Sequence, residues 1–163
     1  MKIDICNETP SDIEPISRLT NQAFSKDPEN NTAESIILTQ LRDQGDLSLS
    51  LVAKSYTKIV GHVAFSEVKI ESETGTWFGL GPISVAPDQQ HKGIGSKLVE
   101  SGLEHIKSKG ASGCVLIGDP GYYHRFGLKS DGKLKYGNVP TEYIQWIAFD
   151  EASPNGEVSY SNA

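Results

Sequence analysis

The stretch "QQHKGIG", Gln89–Gly95, sets two glycines and a positive charge where a β-rich run gives way to a helical one. Seven residues separate Val85, the last apolar position of "PISV", from Gly93. Beyond it, Ile94, Leu98, Val99, Leu103 and Ile106 recur at helical spacing until Gly110 supplies a stop. The stretch is therefore a glycine-containing loop that opens a helix. Such a loop either turns a corner or cradles a phosphate.

Two well-known phosphate loops fail on spacing. A dinucleotide fingerprint needs a third glycine at the sixth position, directly after a strand, yet Leu98 stands there. A P-loop needs Gly-Lys-Ser/Thr, whereas "GIGSKL" places its lysine behind a serine. What remains is Gln-x-x-Gly-x-Gly, made by Gln90, Gly93 and Gly95. At a helix start several N–H groups lack an intrahelical partner and the dipole adds partial positive charge, so an anion is welcome there. Glycine lets the backbone come close. A hydrogen bond to a charged group is worth about 1.5–3 kcal/mol, against roughly 0–1 kcal/mol for an exposed ion pair such as Lys92 would make. The backbone should dominate, with His91 and Lys92 as helpers.

Outward from the loop, "KIDIC" alternates like a short strand, and Ser11 or Asp12 offers an N-cap for a helix carrying Ile13, Ile16, Leu19 and Ala23. A second helix is expected from about Asn31 and Thr32, with Glu34 placed as in a capping box, Ile37 and Leu41 on its inner face, and a stop at Gly45. "LSLSLVAKS", "KIVGHVAFSEVKI" and "TWFGLGPISVAP" read as an antiparallel meander. "GCVLIG" reads as a buried strand, parallel to the one before the loop because a helix intervenes. A short helix at "GYYHRFG" and late strands at "TEYIQWIAFD" and "GEVSY" follow; the polar end, 152–163, is expected to fray.

Bulk composition narrows the function classes. The 163 residues suit one domain, 1–163, with a hydrophobic core. A formal net charge of -6 argues against a nucleic-acid or membrane surface. Cys6 and Cys114 show no metal-ligand spacing and read as buried small hydrophobes, so no metal is expected. "MKIDICNETP" lacks a secretory core, and no apolar run reaches the roughly 20 residues that span a bilayer, which makes the cytoplasm the expected location.

The Gln90, Gly93, Gly95 loop resembles motif A of the GCN5-related N-acetyltransferase (GNAT) superfamily. "LGPISVAP" before it and "GDPGYYHRFGL" after it resemble one bacterial branch of that superfamily, with Leu128 where that branch has phenylalanine. The element order matches over nearly the whole chain. The resemblance implies an α/β (α+β) fold: a mixed sheet with a strand-helix-helix start, an antiparallel meander, a splayed parallel pair and late strands. It also implies acetyl-coenzyme A as co-substrate. Backbone groups of Ile83, Ser84 and Val85 would pair with the pantetheine arm, and Gln90, His91, Lys92, Gly93, Ile94, Gly95 and Ser96 would surround the pyrophosphate. Gly79, Gly81 and Pro82 suit a bulge that aims an N–H at the thioester carbonyl.

The reaction so implied is direct attack of a primary amine, from a small molecule or a protein, on the thioester. The amine must shed protons and the leaving thiolate must gain one. The family's pattern Tyr-x-x-x-Gly-Phe aligns its tyrosine with Tyr123, four residues before Gly127, and the resemblance implies that Tyr123 is the acid and lines the cofactor channel; Tyr122 is the rival phenol. For the base, "TWFGLGPISV" has no carboxylate, which leaves a backbone carbonyl, Glu67, Asp119 or His62. The missing carboxylate keeps a second reading open, a catalytically silent acyl-coenzyme A sensor. The late strands leave a homodimer open.

Overall fold

The computed structural model describes residues 2–160. Its elements are β1 (Ile3–Asn7), α1 (Ile13–Ser25), α2 (Ala33–Asp43), β2 (Leu47–Ser55), β3 (Lys58–Ile70), β4 (Trp77–Val85), α3 (Ile94–Ser108), β5 (Gly113–Ile117), α4 (Pro120–Tyr123), β6 (Leu134–Lys135), β7 (Ile144–Ala148) and β8 (Gly156–Tyr160). Antiparallel and parallel strand pairs occur together, as the α/β reading expects. Among the described residues no helix is long and apolar enough to cross a membrane.

The backbone divides into two compact units. The first runs up to Phe65 and resumes over Gly81–Gly102. Its strands follow the order β1-β2-β3-β4, with β1 antiparallel to β2 from Ile3↔Ser55 to Asn7↔Leu51. One face is apolar because strand side chains alternate: Val52 and Ala64 pack with Ile16 of α1 and Leu38 of α2. On the opposite face Gly61 lies against Ile94 and Leu98 of α3.

Four local expectations change here. Asp12 does not cap α1 with its side chain; its carboxylate turns back to accept the Thr9 N–H at 2.8 Å and holds Lys54 at 3.3 Å. The α2 cap is Thr32, whose hydroxyl accepts from the Ser35 N–H at 3.2 Å, so Glu34 has no part in a capping box. With the helix started there, Ser35 and Leu38 turn inward and Ile37 is left 45% exposed. Cys6 pairs with Val52 and shares its face, yet it is exposed because β1 lies at the edge of the sheet; Cys114 is buried, and burial pushes its thiol upward.

The second unit consists of Ser66–Leu80 and the chain from Leu103 onward. Here β4 runs parallel to β5 from Trp77↔Gly113 to Gly79↔Val115, and β7 pairs antiparallel with all of β5. β8 pairs antiparallel with the end of β3, Val68↔Tyr160 to Ile70↔Val158, and parallel with the two-residue β6. The polar end is thus a paired strand through Tyr160; residues 161–163 lie outside the described residues. Trp77 is fully buried among Val68, Ile70, Val115, Leu134, Ile144, Trp146 and Val158.

Gly113 makes this core possible. A Cβ there would stand 2.3 Å from the Ile147 carbonyl oxygen and 2.5 Å from the Trp77 ring, and neither a ladder carbonyl nor a buried indole can give way cheaply. Gly113→Ala should therefore lose about 1–3 kcal/mol, read as a lower urea midpoint at unchanged slope; an unchanged midpoint would show that the sheet opens to admit a methyl group.

Candidate active site

The loop before α3 is shaped by three backbone facts. His91 and Gly93 both take the left-handed conformation, φ 65° and 82°. At Gly93 a Cβ would meet nothing within 4 Å, so glycine is needed for its conformation and not for space. The first α3 bond runs from the Lys97 N–H to the Gly93 carbonyl at 3.1 Å, which leaves the N–H groups of Ile94, Gly95 and Ser96 without an intrahelical acceptor. Ile94 is buried and holds the helix start in place, while Gly93, His91 and Lys92 are exposed.

Side chains tie the loop to the strand ahead of it. Gln90 Nε2 donates to the Val85 carbonyl at 3.2 Å, and Lys92 Nζ reaches Gln89 Oε1 at 3.5 Å. Gln90 therefore fastens the loop internally. Along β4, Gly81 has φ 137° and precedes a cis peptide to Pro82; Ile83 and Val85 are partly exposed, and Ser84 is buried. In the second unit the pairing of β4 with β5 stops at Gly79, while β5 continues to Ile117 against β7 alone. Strand β5 thus has a stretch, Leu116 and Ile117, with no registered partner on β4.

Tyr123 belongs to the second unit, at the end of α4. The Asp119 side chain caps that helix by accepting the Gly121 N–H at 2.8 Å. The Tyr123 ring meets Tyr122 edge-on at 4.9 Å, and a Cβ on Gly118 would stand 2.8 Å from it, so bare backbone lies against the phenol. Burial, with the negative potential of Tyr122 and Asp119 added, holds its pKa above the ordinary tyrosine value. The phenol is protonated at neutral pH. Arg125 stacks over the Tyr122 ring at 4.4 Å and donates to the Tyr122 carbonyl at 2.8 Å. Arg125 thus holds the ring face and the backbone of the rival phenol.

The candidate bases separate. Glu67 is exposed on β3 with Lys69 at 4.0 Å, and Asp119 is engaged as a cap. His62 is fully buried, its Nε2 2.8 Å from Ser50 Oγ. Ser50 in turn donates to the carboxylate of Glu8, which Arg42 grips through both guanidinium nitrogens. Burial pushes Glu8 up, but the hydrogen bonds from Arg42 and Ser50 and the charges of Arg42 and His62 outweigh it, so the carboxyl sits below its ordinary value. Burial presses His62 down to about 4, against an upward pull from Glu8 and with a further downward push from Arg42.

Ile83, Ser84, Val85 and Gln90–Ser96 are brought together in the first unit; Tyr123 is carried by the second. Glu8, Arg42 and Ser50 gave no signal in the sequence, being 34 and 42 residues apart along the chain. The one hint was a histidine within the apolar run "GHVAF".

Residues 4–129 match the Acetyltransferase (GNAT) domain family. An Escherichia coli protein described as an uncharacterized N-acetyltransferase, YhbS, is 34% identical over 123 residues, 75% of this chain and 71% of that one. A GNAT family acetyltransferase from Brucella melitensis, solved in complex with acetyl-CoA, superposes with a TM-score of 0.83 at 42% identity, covering 98% of this chain and 96% of its own. The YhbS crystal structure in complex with CoA gives a TM-score of 0.90 at 28% identity, over 99% and 91%. The chain belongs to the GNAT acetyltransferase family.

The buried histidine has a consequence for stability. Unfolded, His62 titrates near 6.5; folded, near 4, so between these values the unfolded chain binds more protons. Stability is complete above pH 6.5 and is lost as pH falls toward 4, by on the order of 3 kcal/mol. Glu8, held below its ordinary 4.5, titrates beneath most of that window. Urea midpoints measured between pH 7 and pH 4.5 should fall for the wild type and fall less for His62→Gln; equal slopes would deny the shift.

Proposed function

We propose that the chain is an acetyl-CoA-dependent N-acetyltransferase that moves an acetyl group to a primary amine of a small molecule or protein by direct attack in a ternary complex. The observation that carries this is the α3 start, where Gly93 in a left-handed conformation leaves three unpaired N–H groups facing an exposed loop. An array of N–H donors at a helix N-terminus suits a pyrophosphate, and the Brucella melitensis and YhbS structures hold acetyl-CoA and CoA respectively. In this reading Gln90, His91, Lys92, Gly93, Ile94, Gly95 and Ser96 surround the pyrophosphate, and the backbone of Ile83, Ser84 and Val85 takes the pantetheine arm. The family match draws residues from both units, which supports reading 1–163 as one acetyltransferase domain. Two free cysteines fit a reducing compartment and hence a cytoplasmic setting.

Tyr123 is the acid we propose for the departing thiolate. Its raised pKa keeps the proton available at neutral pH, and a phenol near 10 or above still yields it to a thiolate whose conjugate acid lies near 8.5 only as the C–S bond breaks and charge builds on sulfur. Lining of the cofactor channel by Tyr123 is part of the same reading. One observation favours a second reading: β4, Trp77–Val85, carries no carboxylate. A silent acyl-CoA sensor would have the same loop and no turnover.

Two measurements check these assignments. In calorimetry, Gly93→Val should weaken acetyl-CoA binding by about tenfold or more, since a β-branched residue at that φ costs about 1–3 kcal/mol, while Lys92→Ala should weaken it less than about fivefold. Unchanged affinity in Gly93→Val would remove the loop from the site. In a thiol-release assay over a panel of primary amines, Tyr123→Phe should lower kcat on the order of a hundredfold with acetyl-CoA affinity unaltered. Full activity would remove the acid role, and silence of the wild type across the panel would favour the sensor.

A further inference from the structure

Gln145 of β7, in the second unit, is 1% exposed, and its Oε1 is a buried acceptor with no hydrogen-bond partner among the described residues. An apolar side chain of the same size would leave no such orphan, so the amide is kept at a cost to packing. Its other end is engaged: Nε2 donates to the Gly118 carbonyl at 3.0 Å. Gln145 stands opposite Leu116 of β5, and opposed strand residues share a face. A Cβ on Gly118 would stand 2.8 Å from the Tyr123 ring and 3.4 Å from Leu116. The amide therefore lies on the face of β5 that carries Tyr123.

Gly118 is a place that needs a tether. It follows Leu116 and Ile117, the end of β5 with no registered partner on β4, and it leads into α4. From the β7 side its N–H is held by the Tyr143 carbonyl at 3.0 Å and its carbonyl by Gln145. Helix α4, Pro120–Tyr123, is one turn long, and a single turn does not hold its own shape. It is placed from outside, by the Asp119 cap on the Gly121 N–H and by the Tyr123 ring against Gly118. Gly118 is not among the glycines with positive φ, so glycine is needed there for the ring and not for the turn. The ring's seat and the helix cap are thus neighbouring residues, and a shift of the Gly118 carbonyl moves both.

We propose that Gln145 is a positioning residue for Tyr123, holding Gly118 so that the phenol stands where the thiolate departs. This rests on the acid role given to Tyr123 above. As the C–S bond breaks its electron pair goes to sulfur, the phenol O–H bond breaks, and the proton passes to the thiolate; the phenolate recovers a proton from solvent. Gln145 takes no proton and touches no reacting atom. Proton transfer needs its two heavy atoms about 2.6–3.2 Å apart, and a misplacement of about 1 Å costs on the order of a hundredfold in rate. One hydrogen bond to one carbonyl is therefore read in kcat. The orphaned Oε1 follows from the same bond, since an amide that turns its N–H groups to Gly118 leaves its oxygen in the apolar interior.

The test uses two variants of the intact chain. Gln145→Met removes the donor and nearly keeps the volume. With whichever panel amine releases thiol fastest, it should lose about tenfold or more in kcat at an unaltered KM for acetyl-CoA, and the loss should vanish when Tyr123→Phe is already present. Carbon-13 spectra of the tyrosine rings should show Tyr123 titrating lower in Gln145→Met than in the wild type, as the ring leaves its seat and gains water. Gln145→Glu keeps the shape and donates to the Gly118 carbonyl only while its carboxyl is protonated, so its rate relative to the wild type should fall as pH rises. A full rate in Gln145→Met, an equal loss in the Tyr123→Phe background, an unmoved Tyr123 titration, or a low relative rate in Gln145→Glu that ignores pH overturns the positioning role alone. Tyr123→Phe at full rate, or a wild-type chain that binds no acetyl-CoA, overturns the reading of the acid or of the enzyme, and the positioning role with it.

Discussion

Three unpaired N–H groups in the first turn of α3 are the constraint around which the first unit is arranged. Unpaired donors are costly when buried and useful when held rigidly toward an anion. The chain holds them rigidly. Ile94 and Leu98 are buried against the bare backbone of Gly61, so the helix cannot slide along the sheet without opening a cavity. Gly93 makes the turn into the helix at φ 82°, and Gln90 ties the loop back to the Val85 carbonyl. Apolar packing fixes the helix, glycine fixes the approach, and a side-chain amide fixes the loop.

The opposite face of the same strands follows a different logic. There Glu8, Arg42, Ser50 and His62 place four polar side chains against an apolar cluster. Burying such groups is unfavourable unless each finds a partner, and a cluster so placed adds less stability than an apolar one would. The Arg42 fork on Glu8 satisfies the carboxylate, and Ser50 links it to the imidazole. Nδ1 of His62 and Oγ of Ser84 are left over.

Legibility in the sequence tracked the range of the interaction. The bounds of β2, β3 and β4 were readable because each is a long, largely apolar run closed by turn residues, and α3 because five apolar positions repeat between two glycines. Short-range details misled where two placements differ by one residue. Ile37 and Leu38 are both apolar, and only the cap at Thr32 decides that Leu38 turns inward. Cys6 looks like any small hydrophobe until β1 proves to be an edge strand. The two-residue β6 is too short to show a period. The Glu8–Ser50–His62 chain joins residues with no local pattern, since its charges read as solvated surface. For the candidate site, the glycine spacing exposed the loop, whereas the role of Gln90 as an internal fastener depends on the folded loop bringing its amide to the Val85 carbonyl.

Pyrophosphate binding by this chain depends on the backbone of one turn, which can be observed atom by atom. In an amide-resolved NMR titration of the intact chain with acetyl-CoA, the N–H protons of Ile94, Gly95 and Ser96 should move downfield by the largest amounts and become protected from exchange at saturation. Saturable binding with those three amides unmoved would place the pyrophosphate elsewhere and contradict the central claim.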